Sequence, residues 1–74
     1  MRVGDLVTNT RAVWDNRAVD EGPYPAGCVG IVVDVRPDRW NNPPLSGYVD
    51  VVLSCEGASV WCGNYTQGHF EVIA

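Results

Sequence analysis

The distribution of valine constrains the fold of this 74-residue chain more than any other feature. Thirteen residues are valine, and branching at Cβ favours the pleated strand over the helix. Eight glycines and five prolines separate the valine clusters, as turn residues do between strands. Few windows hold apolar residues at helical spacing over enough length for a helix. The pattern predicts an all-β chain of short strands.

Five strands are predicted, and glycine or proline occurs in the segments between them. Their ranges are Val3–Thr8, Cys28–Arg36, Tyr48–Cys55, Ser59–Gly63 and Phe70–Ile73. Glu56-Gly57 suits a tight turn, and Asn64–Gly68 suits one short helical turn before the last strand. The long first loop, Asn9–Gly27, is expected to fold back as an irregular hairpin or to carry function.

Apolar residues alternate along the two longest strands, which is typical of a sheet with one buried face. The predicted core is Val29, Ile31, Val33, Val49, Val51 and Leu53. Five strands in this order favour a small five-stranded SH3-like barrel, because closing a sheet on itself removes exposed edges. The length allows one domain, residues 1–74, with a small margin of buried surface.

The charge balance argues against a nucleic-acid partner. The net charge is −4, and all five basic residues are arginine. Binding to phosphates usually requires a basic stripe, since counterion release supplies much of the affinity. Here Arg11 and Arg17 flank Asp15, while Arg36 and Arg39 lie on either side of an aspartate in the same way. Each basic neighbourhood is therefore diluted by acid.

The chain is also expected to stay away from membranes. No apolar run approaches the roughly 18 residues that a membrane helix needs. The first residues, Met1–Asp5, lack the apolar core of a secretory signal. The expected location is the cytoplasm, which would be the host cytoplasm or the virion if a phage encodes the protein.

The three cysteines, Cys28, Cys55 and Cys62, form an odd set, which favours reduced thiols buried as small hydrophobic groups. Together with His69 they could supply a tetrahedral zinc site, but no pair has the short separation of a zinc knuckle. Cys62 and His69 are also the only plausible nucleophile and base. We expect no catalytic residue, no metal and no cofactor, and hence no enzyme.

Aromatic residues in polar segments, together with one arginine beside a tryptophan, are the candidate interface. The set is Trp14, Tyr24, Arg39, Trp40 and Tyr65. A tryptophan in a polar loop either fixes that loop on the barrel or waits for a partner, and both interpretations stay open. Arginine beside aromatic residues is a composition favoured at protein interfaces. Trp61 and Phe70 are expected in the core or at its mouth.

Three segments carry a resemblance to a known family. They are MRVGDLV at Met1–Val7, GCVGIVVDV at Gly27–Val35 and HFEVI at His69–Ile73. They resemble the VGDLV, GxVGIV and EVI motifs of small SH3-like barrel proteins from uncharacterised bacteriophage and marine microbial sequences. The resemblance implies an SH3-like barrel, and its motifs are structural. Gly27–Val35 is also similar to the KOW element of ribosome- and transcription-associated barrels, although the basic residues that usually surround that element are missing.

These observations leave three classes of function. The first is a non-enzymatic protein-interaction module, such as a phage-encoded accessory or virion-associated protein that docks through its aromatic loops. Its partner would be another protein or a second copy of the chain in a homo-oligomer. The second class is a KOW-like nucleic-acid-associated barrel, and the third is a small zinc or thiol protein. The acidic charge and the cysteine spacing favour the first.

Overall fold

The structure is a computed structural model that describes residues 1–17, 21–36 and 47–74. Within these ranges the strands are β1 (Leu6–Asn9), β2 (Val13–Asp15), β3 (Glu21–Tyr24), β4 (Val29–Arg36), β5 (Tyr48–Cys55), β6 (Ala58–Thr66) and β7 (Phe70–Val72). One 3₁₀ turn, Gln67–His69, precedes β7. The predicted all-β class is confirmed. No helix in the described part of the chain is long and apolar enough to cross a membrane.

Five strands form one antiparallel sheet in the order β6-β5-β4-β1-β7, and β2 and β3 form a separate hairpin. This hairpin lies within the long first loop, so the prediction that the loop folds back is confirmed. Over the described residues the sheet ends at β6 and β7 without closing on itself. The coarse arrangement is therefore a five-stranded sheet accompanied by a two-stranded one.

The core lies on one face of the sheet, and β5 presents the face that the sequence predicted. Val49, Val51 and Leu53 are fully buried. The prediction for β4 is wrong, because Val29, Ile31 and Val33 are 45%, 42% and 38% exposed. The buried residues of the core are Val7, Val13, Val32, Val49, Val51, Leu53, Cys55, Val60, Cys62 and Phe70.

Strand pairing explains why β4 buries the face opposite to the predicted one. Residues directly opposite each other share a face of the sheet, and Val32 lies opposite the buried Val51. Gly30 lies opposite Leu53 on the same inner face. A Cβ atom on Gly30 would overlap the Val52 carbonyl oxygen and would lie 2.7 Å from the Leu53 Cα atom. Glycine is therefore required where β4 approaches β5 most closely.

Several element boundaries differ from the predicted ones, and two of the differences have local reasons. The first strand begins at Leu6 because Gly4 has a φ of 93° and its amide donates to the Val32 carbonyl at 2.8 Å. The helical turn begins at Gln67 because β6 stays paired with β5 as far as Thr66. Asn64, with a φ of 60°, accommodates the irregular pairing within β6.

Candidate functional site

The structure describes three of the five predicted interface residues and brings Trp14 and Tyr65 together. The Tyr65 hydroxyl accepts a hydrogen bond from the Trp14 amide at 2.9 Å and donates one to the Trp14 carbonyl at 3.1 Å. Tyr24 lies opposite Val13 in the hairpin. Both tyrosines pack against the core. Arg39 and Trp40 lie outside the described residues.

Trp14 presents the most exposed aromatic side chain of the three. It is 43% exposed, and its ring lies against Gly22, where a Cβ atom would be 2.9 Å from Trp14 Cδ1. Tyr24 and Tyr65 have a structural role in holding the hairpin, because both pack against the core. Trp14 keeps both interpretations that the sequence left open, since its ring packs on the hairpin and still faces solvent.

Polar side chains attach the hairpin to β6, and sequence reasoning did not foresee them. The Asn16 amide group donates to the Gly63 carbonyl at 2.7 Å, and its oxygen accepts from the Gly63 amide at 2.9 Å. The Asn16 backbone amide donates to the Trp61 carbonyl at 3.1 Å. Asp15 accepts a hydrogen bond from the Trp61 amide at 3.3 Å. Side chains thus replace a missing strand partner along this stretch of β6, where unpaired backbone groups would be costly.

Arg17 stabilises the ionised form of Asp15. The Arg17 side chain donates to Asp15 Oδ2 at 2.7 Å and its backbone amide donates to Oδ1 at 3.1 Å. These hydrogen bonds lower the pKa of Asp15 from 3.8 to about 2. Arg17 also donates to the Ser59 carbonyl at 3.2 Å, so the ion pair connects the hairpin to β6. The contribution of the Arg17–Asp15 ion pair is structural.

The low pKa of Asp15 predicts a loss of stability in acid. A folded-state pKa below the unfolded value gives stabilisation that is complete above about pH 4 and is lost as the pH falls towards 2. We expect the Tm of Asp15→Asn to change less across this range than the wild-type Tm. Thermal melts followed by circular dichroism measure the difference, with the exposed Glu71→Gln as the matched control. Parallel Tm profiles for wild type and Asp15→Asn would contradict the prediction.

A second ion-pair network joins β4, β5 and β6. Arg36 donates to both carboxylate oxygens of Asp50, at 2.7 and 2.8 Å, and to Asp34 at 2.9 Å. These contacts raise the pKa of Arg36 and lower that of Asp50. Asn64 also contacts the pair, since its backbone amide donates to Asp50 Oδ1 at 2.7 Å. Arg17 and Arg36 are therefore both engaged by carboxylates within the fold.

The outer face of the sheet carries an apolar row that the sequence assigned in part to the core. Leu6 lies opposite Ile31, Ile31 opposite Val52, and Val52 opposite Trp61. Ile73 continues the row, since its amide donates to the Leu6 carbonyl at 2.8 Å. We call these five residues the outer row. Leu6, Ile31 and Ile73 are 42%, 42% and 50% exposed.

An open cleft of about 420 Å³ lies along this row. Leu6, Val29, Ile31 and Val52 contribute its aliphatic lining, and Ser54 and Ser59 add hydroxyl groups. Gly57 and Ala58, at the β5–β6 turn, bound it with little side chain. Among the residues that the structure describes, none of those lining the cleft has an ionisable side chain. Its chemistry suits the burial of aliphatic or aromatic side chains.

The cysteines differ from the expectation of three reduced thiols. Cys28 and Cys55 form a disulfide between β4 and β5, with Cα atoms 5.2 Å apart. Cys62 is a free thiol in the core, and burial raises its pKa to about 12. His69 lies 2.9 Å from Thr66 Oγ1 through its Nδ1 atom. Within the described ranges no group of three or more His, Cys, Asp or Glu side chains could hold a metal ion.

No protein-family model, no curated protein and no solved structure matches this chain.

Proposed function

We propose that the chain is a small SH3-like barrel domain that acts as a non-enzymatic protein-interaction module. The strand order supports the barrel, because the β2–β3 hairpin covers β6 at one edge of the five-stranded sheet. The resemblance in the VGDLV, GxVGIV and EVI segments supports it as well. The setting we propose is an accessory or virion-associated protein of a phage.

The exposed outer row is the single observation that carries the proposed function. Leu6 and Ile31 of the row, together with the neighbouring Val29, each expose more than two fifths of their surface. A contiguous apolar patch on a small acidic domain marks a surface that another molecule covers. Among the described residues, no outer-row side chain forms a hydrogen bond, whereas the side chains of Tyr65 and Asn16 do.

A peptide selection tests this function. The wild-type domain serves as bait for a displayed random peptide library, and Ile31→Glu serves as the counter-selection bait. We expect aliphatic or aromatic peptides that bind wild type and lose about tenfold or more of their affinity for Ile31→Glu, since a charge enters an apolar cleft. Peptides that bind both baits equally would place binding elsewhere, and Trp14→Glu then tests the aromatic hairpin.

Nucleic acid provides the comparison ligand. The KOW-like alternative requires a basic surface, but Arg17 and Arg36 are paired with carboxylates. We expect no shift of duplex DNA or RNA in a gel assay near physiological salt. Micromolar binding that weakens steeply with added salt would overturn this expectation and favour the nucleic-acid-associated barrel.

A further inference from the structure

We propose that the outer row is the interface of a symmetric homodimer, in which two copies pack their sheets face to face. The inference rests on the proposed function and names the partner as a second copy of this chain. Sheets that stack in this way lie about 10 Å apart with interdigitating side chains. Small domains often gain stability by such association.

The outer row presents no charge that would oppose a second copy. A two-fold interface brings each surface patch against itself, so any net charge in the patch is opposed by the same charge. The chain carries −4 overall, but none of the five outer-row side chains ionises. Elsewhere on the described surface, the Arg36 network combines one arginine with two aspartates. The outer row is thus a neutral patch on an acidic chain.

Shape favours self-association, because exposed apolar side chains and an open cleft lie along the same row. A two-fold axis that passes by Ile31 along the strands reverses the order of the row. Leu6 of one copy then faces Val52 of the other, and Ile31 faces Ile31. Leu6 is 42% exposed, and both Leu6 and Val52 line the open cleft of about 420 Å³. An apolar cavity of about 150 Å³ accommodates benzene, so this open cleft has room for a leucine side chain.

The size of the row predicts a weak dimer. Five strands at a spacing of about 4.8 Å extend the row over roughly 19 Å. A standard interface buries about 800 Å² per partner, which is about a sixth of the 4665 Å² surface of the chain. The row and its neighbour Val29 offer a smaller contact area than this standard interface. Protein interfaces of such a size are typically transient.

Sedimentation velocity over about 1 µM to about 1 mM tests the dimer. The wild-type mass should rise from 8.1 kDa towards twice that value. Ile31→Glu should remain monomeric across the series, because two carboxylates would face each other at the axis. Trp14→Glu is the matched control, since it adds the same charge to another exposed apolar residue and should dimerise like wild type. Loss of the dimer in Trp14→Glu alone would move the interface to the hairpin and overturn the proposal.

A charge-swapped pair tests the symmetry directly. Ile31→Lys and Ile31→Glu should each be monomeric, yet an equimolar mixture should form a heterodimer, because residue 31 of one copy faces residue 31 of the other. Circular dichroism checks that both variants fold; Ile31→Arg replaces Ile31→Lys, or Ile31→Asp replaces Ile31→Glu, if one of them does not. A mixture that stays monomeric overturns the two-fold arrangement. A monomeric wild type that still binds a selected peptide overturns the dimer and leaves the proposed function standing, whereas the absence of both removes both.

Discussion

Replacing Val32 with aspartate is expected to unfold the protein. Val32 is 1% exposed and lies opposite the fully buried Val51. A carboxylate at this position would have neither water nor a cationic partner, and such burial typically costs several kcal/mol. A domain of this size has a total stability of only about 3–5 kcal/mol from its core. Circular dichroism melts and the dispersion of amide proton resonances measure the loss of the fold.

The neighbouring substitution Ile31→Asp is the matched control, because it adds the same charge one residue away. Ile31 is 42% exposed on the outer row, so its carboxylate would be solvated. We expect this variant to fold and to melt within a few degrees of the Ile31→Ser variant. If Ile31→Asp unfolds while Val32→Asp survives, the inward face of β4 is the one that alternation predicted, and the outer row does not exist.

This pair of variants shows where sequence reasoning about the fold succeeded and where it failed. In β5 the residues of one parity are Val49, Val51 and Leu53, and their burial could be read from alternation alone. In β4 alternation favoured Val29, Ile31 and Val33 over the parity that holds Gly30, Val32 and Asp34, and it chose the wrong face. The pairing with β5 determines the buried face, through Gly30, which has no side chain to separate the two strands.

The candidate site was predicted only in part for the same physical reason. Tyr65 and Trp14 were recognised as aromatic residues in polar surroundings, and the structure brings them into contact. The cleft was missed because Val29 and Ile31 had been assigned to the core. Asn16 and Asp15 were missed because a polar residue in a loop carries no sequence signal for which backbone groups it will satisfy. The one available signal for the buried face of β4 was Gly30, a glycine within a valine-rich strand.

The Cys28–Cys55 disulfide could have been inferred from the predicted strands but not from cysteine spacing. Cys28 was placed at the start of one strand and Cys55 at the end of the next. Antiparallel pairing then brings such ends together, and Val29 indeed lies opposite Ser54. The odd number of cysteines obscured this, because Cys62 is the one left in the core. Val29 and Ser54 line the cleft on the outer face, whereas the buried Cys55 places the disulfide on the core side of the sheet.

Opening this disulfide is expected to cost a large part of the stability of the domain. The bond closes a loop of 27 residues in sequence. Constraining the unfolded chain over such a loop contributes roughly 3 kcal/mol, which corresponds to about 12–24 °C in Tm for a domain of this length. Cys28 immediately precedes β4 and Cys55 is the last residue of β5, so the bond links the two paired strands at that end.

Counting thiols and melting the protein with and without reductant test this expectation together. Without reductant, the folded protein should expose no reactive thiol and the unfolded protein one, namely Cys62, whereas unfolding in reductant should expose three. The wild-type Tm should fall on reduction, while the Tm of Cys28→Ser should be the same in both conditions and close to that of the reduced wild type. Cys28 is the better position for substitution because Cys55 is 1% exposed and a hydroxyl there would be buried in the core. Three reactive thiols in the unreduced unfolded protein, with a Tm indifferent to reductant, would mean that the chain folds with three free cysteines, as its odd cysteine count first suggested.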